Sequence, residues 1–180
     1  MDLTRADAEL VLVDHGRVPF EPRPAGLLDV RWLEPLDGGD AVTYSQWSGP
    51  AEGVAATGGA VAYRRHRSGG LTSPDRPVGC VVLVSVEFDR TGVAEEWIDL
   101  VFSALAAEDE PAPGGISGHF HVSADGLRVL NYAEWTSAQA HRDAMARGDG
   151  AVGVGDLWRR VRSFTGLKGS DVRRYRVVGG

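Results

Sequence analysis

The clearest pattern in the chain lies in its second half. Val81-Val82-Leu83-Val84-Ser85-Val86-Glu87-Phe88 is apolar on both alternating faces, which predicts a strand covered on both sides. From Gly92 to Ala107 the apolar residues Val93, Trp97, Leu100, Val101 and Leu105 recur at helical spacing. The run Pro111-Ala112-Pro113-Gly114-Gly115 stops that helix. Ile116, Gly118, Phe120 and Val122 then alternate with Ser117, His119, His121 and Ser123, which predicts a strand with two unlike faces. Ala124-Asp125-Gly126 is a hairpin turn, and Arg128 to Trp135 is the returning strand. Thr136 and Gln139 have the spacing of a capping box and open a helix through Arg147. A short helix over Leu157 to Phe164, stopped by Gly166, and a last strand over Val172 to Val178 complete the order β-α-β-β-α-β.

The first half repeats this pattern. Moving the sequence by 88 positions places Gly26 on Gly114, Asp37 on Asp125, Gly38 on Gly126, Tyr44 on Tyr132 and Trp47 on Trp135 without a gap. The alternation agrees too, since Leu28, Val30 and Trp32 fall on Ile116, Gly118 and Phe120. After a shortened, Gly-rich stretch from Ser48 to Gly59, Val61 to Arg67 supplies a closing strand. The same shift lays Thr4 to Arg17 over the first helix, so the opening strand is expected to be missing. In the other reading, Glu9 to Asp14 is that strand and the helix has been lost; Leu10-Val11-Leu12-Val13 suits either.

The expected fold is therefore α+β, with two ferredoxin-like split-βαβ units in tandem. A degenerate unit over 1–67 and a complete one over 78–180 are joined by a linker over 68–77, rich in Gly, Ser and Pro. Each antiparallel sheet has one face covered by helices and one bare, so the two bare faces are expected to pack as an intrachain, barrel-like pseudo-dimer. A missing first strand would leave a sheet edge open to a further homodimer.

Composition narrows the partners. At 43% hydrophobic, the 180-residue chain can build a core. A net charge of −6 argues against binding nucleic acid or an anionic membrane. No apolar run approaches the roughly 20 residues that span a bilayer, and the start Met1-Asp2-Leu3-Thr4-Arg5 is unlike a signal peptide, so a cytoplasmic protein is expected. Cys80 stands alone inside an apolar run and reads as a core residue. No glycine-rich dinucleotide loop or Gly-x-Ser-x-Gly element is present.

Leu130-Asn131-Tyr132-Ala133-Glu134-Trp135, set between an Asp-Gly turn and a capped helix, resembles the hydrophobic-Asn-Tyr-Ala-x-Trp strand of the antibiotic-biosynthesis monooxygenases. The resemblance covers about Val78 to Val178, and more weakly Gly26 to Arg67. It implies a small ferredoxin-like protein that pairs sheets and oxidises an aromatic polyketide, such as an anthrone, to a quinone with molecular oxygen and no cofactor. A diffusible reduced flavin and a polyketide-cyclase activity stay open, as does a non-catalytic ligand-binding role. The resemblance places the catalytic pair at Asn131 and Trp135, with a pocket-lining polar residue at His141. In the first unit Trp47 is retained, but Thr43 stands for Asn131 and Gly53 for His141. One competent site and one decayed site are expected.

Residue chemistry fits that picture. Asn131 and Trp135, four apart on one strand, share a face with Val129 and Ala133, and the small Ala133 leaves room for a flat ring system. Both side chains can donate hydrogen bonds to an oxygen that gains charge as an enolate forms. His141 has an ordinary pKa near 6.5 and is a candidate proton acceptor. His119, His121, Met145 on the stripe of His141, and Trp158 are further candidates for substrate contact. With His141, His119 and His121 invite a metal, but no Asp or Glu stands at ligand spacing, so none is expected. Asn131 can instead satisfy a neighbouring backbone group, and Trp135 can be core.

Overall fold

The computed structural model describes residues 1–49, 59–70, 76–108, 110–146 and 153–179. Among these described residues, eight strands and three helices follow one another as β1 (Leu10–His15), β2 (Leu27–Pro35), β3 (Val42–Trp47), β4 (Val61–Gly70), β5 (Cys80–Phe88), α1 (Ala94–Ala106), β6 (Gly115–Ser123), β7 (Arg128–Trp135), α2 (Ala138–Ala146), α3 (Asp156–Arg162) and β8 (Leu167–Gly179). All neighbouring strands are antiparallel, and they close into a barrel in the order β1-β3-β2-β8-β5-β7-β6-β4. Around the ring, β4-β1-β3-β2 and β8-β5-β7-β6 run in the same internal order, each half joined to the other through β2·β8 and β4·β6. The hairpin turns also match: Gly38 and Gly126 both have positive φ (84° and 70°), where a side chain would be strained.

The barrel interior is an apolar and aromatic core. Val11, Leu33, Val42, Tyr44, Tyr63, Val81, Leu83, Leu130, Tyr132 and Tyr175 pack there, with the Tyr44 and Tyr132 rings 4.8 Å apart. His121 sits among them. Its Nδ1 lies 3.2 Å from the Leu130 carbonyl and must donate to it, so Nε2 accepts from the Tyr44 hydroxyl at 3.0 Å. Tyr44→Phe should therefore leave a buried acceptor unpaired and cost about 1–3 kcal/mol by urea unfolding. A loss under a few tenths would show that this bond contributes nothing.

Outside the barrel, α1 lays Ala94, Trp97, Ile98, Val101 and Ala104 on the second-half sheet, with Trp158 and Val161 of α3 beside them. Glu95 and Glu96 in the first turn of α1 favour its dipole. The side chain at the start of α2 is Ser137, whose hydroxyl accepts the Ala140 N–H at 3.0 Å; Thr136, expected in that role, lies one residue too early. Over the first-half sheet, the segment between β1 and β2 takes the place of a helix, and Phe20 meets Trp47 edge-on at 5.6 Å.

The expectation of a missing first strand is corrected. Leu10–His15 is a strand paired with both β3 and β4, and no helix occurs among residues 16–26. The run Leu10-Val11-Leu12-Val13 tolerates either state locally, but closing the ring requires a strand between β3 and β4. Among the described strands no sheet edge is left open, so an open edge gives no reason for a further homodimer. Ser68, Gly69 and Gly70, assigned to the linker, extend β4 and pair with His119, Gly118 and Ser117 of β6.

Candidate active site

A cavity of about 380 Å³ lies on the outer face of the second-half sheet, beneath α1. Its position follows from side-chain size. Gly69 of β4 pairs with Gly118 of β6, and Gly118 pairs with Ala133 of β7, so one row across three strands carries almost no side chain. Helix α1 stands over this row. A Cβ on Gly69 would come within 2.9 Å of the Phe102 ring, so glycine permits that approach. The walls are apolar: Val101, Phe102 and Leu105 of α1, Phe120 of β6, and Trp135 of β7. Phe102 and Phe120 meet edge-to-face at 5.3 Å, and the Arg67 guanidinium covers Phe102 at 4.0 Å while binding Asp99 at 2.8 Å.

Three polar side chains break this lining: Ser117, whose hydroxyl donates to Glu134 at 2.6 Å, Asn131 and Glu108. Asn131 lies opposite Phe120, and its Oδ1 is buried with no hydrogen-bond partner. An unpaired buried amide oxygen is costly, and one facing a cavity is satisfied by a ligand that donates a hydrogen bond. Glu108, just past α1, also lines the cavity; its Oε1 accepts the indole N–H of Trp158 at 2.8 Å. Glu108 is the sole ionisable residue among the described lining residues. A second cavity of about 470 Å³, lined by Trp158 among others, shares Glu108 and Ala112 with the first.

The sequence candidates separate across the sheet. Asn131, Ala133 and Trp135 share the cavity, and Trp158 lines the adjoining one. Val129 is fully buried in the core under α1, and Met145 is half-buried on α2; neither lines the cavity. His119 and His121 point the other way, into the barrel. His119 is held between Ser68 and Ser117 at 2.9 and 3.0 Å. His141 is also outside the cavity. It is 3% exposed and packs edge-on against Trp135 at 4.9 Å, and its Nδ1 accepts Arg174 Nε–H at 2.9 Å. Burial, then the Arg174 charge, lowers its pKa to about 4. A ring already accepting from a guanidinium is a poor proton acceptor, so that role passes away from His141. The three histidines stand on opposite sides of the sheet, and among the described residues no His, Cys, Asp and Glu cluster with metal-binding geometry occurs.

Sequence reasoning missed the walls supplied by α1 and β4. Helix α2 was expected to face the cavity, and α1 does instead. Gly118 between two bulky strand neighbours was the available signal, since glycine inside a strand marks a close approach or a hollow.

The matching place in the first half is filled. Thr43 is fully buried, its hydroxyl accepting Val18 N–H at 2.9 Å and donating to the Gly16 carbonyl at 2.8 Å. Val30 and Ser45 stand where Gly118 and Ala133 stand, and Ser45 accepts the Trp47 indole N–H at 2.9 Å. Gly53 lies outside the described residues.

No protein-family model matches this chain. No curated protein matches it. It is similar in fold to solved structures across nearly its whole length. An anthrone oxidase-like protein superposes with a TM-score of 0.67 at 16% identity, over 97% of this chain and 93% of that one. A ferredoxin-fold protein related to antibiotic biosynthesis monooxygenases, from Listeria monocytogenes, gives 0.57 at 15% identity, over 97% and 98%. A heme-degrading enzyme from Listeria monocytogenes gives 0.56 at 14%, over 93% and 99%. The chain thus has the ferredoxin-like barrel fold of monooxygenase-related proteins. Among the described residues no helix is long and apolar enough to cross a membrane.

Proposed function

We propose that this chain is a monooxygenase that oxidises an anthrone- or polyphenol-type aromatic polyketide to a quinone in secondary metabolism, using molecular oxygen and no bound cofactor. The observation that carries this reading is the unpartnered Asn131 Oδ1 inside an aromatic-walled cavity. Such a cavity suits a flat, apolar ring system bearing a hydroxyl. The strand Leu130 to Trp135, with the likeness to an anthrone oxidase-like structure, supports the choice of substrate class. The equivalent strand orders of the two halves, with the repeat at 88 positions, support tandem ferredoxin-like units that form an intrachain pseudo-dimer with one working site.

In this mechanism the substrate hydroxyl donates to Asn131 Oδ1, while the amide N–H groups face the oxygen on which enolate charge collects. Glu108 takes the proton from the ring CH₂, oriented by the Trp158 indole. The carbanion gives one electron to oxygen, and the two radicals join as a carbon–peroxide bond. Protonation of the peroxide and loss of the second ring hydrogen release water and leave the carbonyl. One CH₂ and one O₂ become one C=O and one H₂O. Trp135 and Phe102 hold the ring plane.

Haem degradation fits less well, because no histidine or cysteine lines the cavity among the described residues. Oxygen uptake with an anthrone, under air and under nitrogen, tests the proposal; quinone formation at the uncatalysed rate in air would overturn it. Ala133→Leu should fill the space beside Asn131 and abolish anthrone turnover, with a melting midpoint within a few degrees of the parent. Full activity in that variant would place the chemistry elsewhere.

A further inference from the structure

The network behind Trp135 crosses between the halves. Asp37, in the turn between β2 and β3, accepts Arg174 Nη1–H at 2.8 Å, and Arg174 Nε donates to His141 Nδ1 at 2.9 Å. The imidazole then meets the Trp135 indole edge-on at 4.9 Å, and that indole lines the cavity. The outer step at Asp37 is exposed, while the inner end is shielded: His141 is 3% exposed and Trp135 5%. Because a guanidinium only donates, Nδ1 of His141 must carry a lone pair and Nε2 the proton. The ring is thus held in one tautomer and one orientation. Around it stand Arg174 on β8, Asp37 from the first half, and Arg142 on α2, which lies 3.4 Å from Asp37.

We infer that Arg174, anchored by Asp37 of the first half, is a positioning residue that fixes the His141 tautomer and through it the seat of the Trp135 indole in the cavity wall. This deepens the proposed function but stands on contacts that exist without substrate. It assigns the first half a task in a site whose chemistry sits in the second. A direct salt bridge of Arg174 to substrate is not involved, since Arg174 does not line the cavity and its Nε and Nη1 are engaged by His141 and Asp37. Misplacement of a wall residue by about 1 Å can cost up to about 100-fold in rate, so the effect on the site exceeds the effect on the fold.

The test is nitrogen NMR of histidine-labelled full-length protein, with the Trp135 indole resonance assigned through Trp135→Phe. In the parent, His141 should show a single Nε2–H tautomer that does not titrate until the pH nears 4. In Arg174→Gln, the tautomers should mix, the titration should move up toward the ordinary value near 6.5, and the Trp135 indole signal should shift. Asp37→Asn should mix the tautomers and shift the Trp135 signal in smaller degree, without the upward move in titration, because the Asp37 charge itself raises the His141 pKa. Arg174→Lys, which keeps a donor, should restore the single tautomer, and Arg142→Gln should leave it unchanged. With anthraquinone as a quenching probe, Arg174→Gln should weaken binding between about 10- and 100-fold and Arg174→Lys should recover most of it. An unchanged His141 titration or an unmoved Trp135 signal in Arg174→Gln overturns the inference, as does unchanged anthraquinone affinity. If the parent itself fails to bind anthraquinone, the proposed function fails, and the NMR results alone decide the positioning role.

Discussion

Replacing Asn131 with alanine should slow anthrone oxidation by roughly 10²–10³-fold, the usual loss when one donor to a developing oxyanion is removed. The variant should remain as stable as the parent within about 1 kcal/mol, and the reason lies in the buried oxygen. Oδ1 already lacks a partner in the free protein, so its removal relieves a desolvated acceptor rather than breaking a bond. The penalty that Asn131 carries in the free fold is offset only when a hydroxyl arrives. Trp135→Phe should be milder, because it keeps the ring surface and loses one N–H. Oxygen uptake with an anthrone, beside thermal melts of each variant, separates the two effects. A folded Asn131→Ala protein that consumes oxygen at the parental rate would remove the oxyanion role and favour the cyclase or binding-protein readings.

Acid should unfold this protein well before its carboxylates are protonated. His119, His121 and His141 are 5%, 1% and 3% exposed. Burial is the main cause that lowers each pKa to about 4, with the Arg65 charge adding to His119 and His121 and Arg174 to His141. In the unfolded chain each should titrate near 6.5. Between those values the unfolded chain takes up protons that the fold refuses, so the unfolded state binds more protons and stability rises with pH. Their contribution is complete above about 6.5 and is lost as the pH falls toward 4. At about 1.36 kcal/mol per unit, each amounts to about 3 kcal/mol, and together they approach the 5–15 kcal/mol stability of an ordinary domain. Asp14 works in the other direction, since burial raises its carboxyl pKa and protonation then favours the fold. Urea midpoints should fall steadily from pH 7.5 to pH 4.5. A midpoint unchanged across that range would show that the histidines are solvated or paired in their charged forms.

The sequence alone determined the second half of this protein closely. Alternation and β-branching placed β5, β6 and β7 almost to the residue, and the stripe of Trp97, Val101 and neighbours placed α1. These elements are legible because each buries a face whose period is local. The repeat at 88 positions likewise put Tyr44 and Tyr132 on one common face, and they meet inside the barrel. The motif strand also carried Asn131, Ala133 and Trp135 to one cavity.

What the tertiary structure decided are the pairings that no local period encodes. Leu10-Val11-Leu12-Val13 is equally good helix or strand by itself, and only ring closure between β3 and β4 makes it β1. The pairing of β4 with β6, between residues about 50 apart, brings Gly69 beside Gly118 and so hollows out the cavity. Helix α1 rather than α2 covers it: α2 packs through Ala140 and Ala144 into a separate cluster with Cys80 and Val82 of β5 and Trp135 of β7, where His141 braces Trp135 from behind. The histidines were separated for the same reason. Strand phase says that His119 and His121 share a face, but which face looks into the barrel and which toward α1 depends on what closes over each side, and that is a long-range fact.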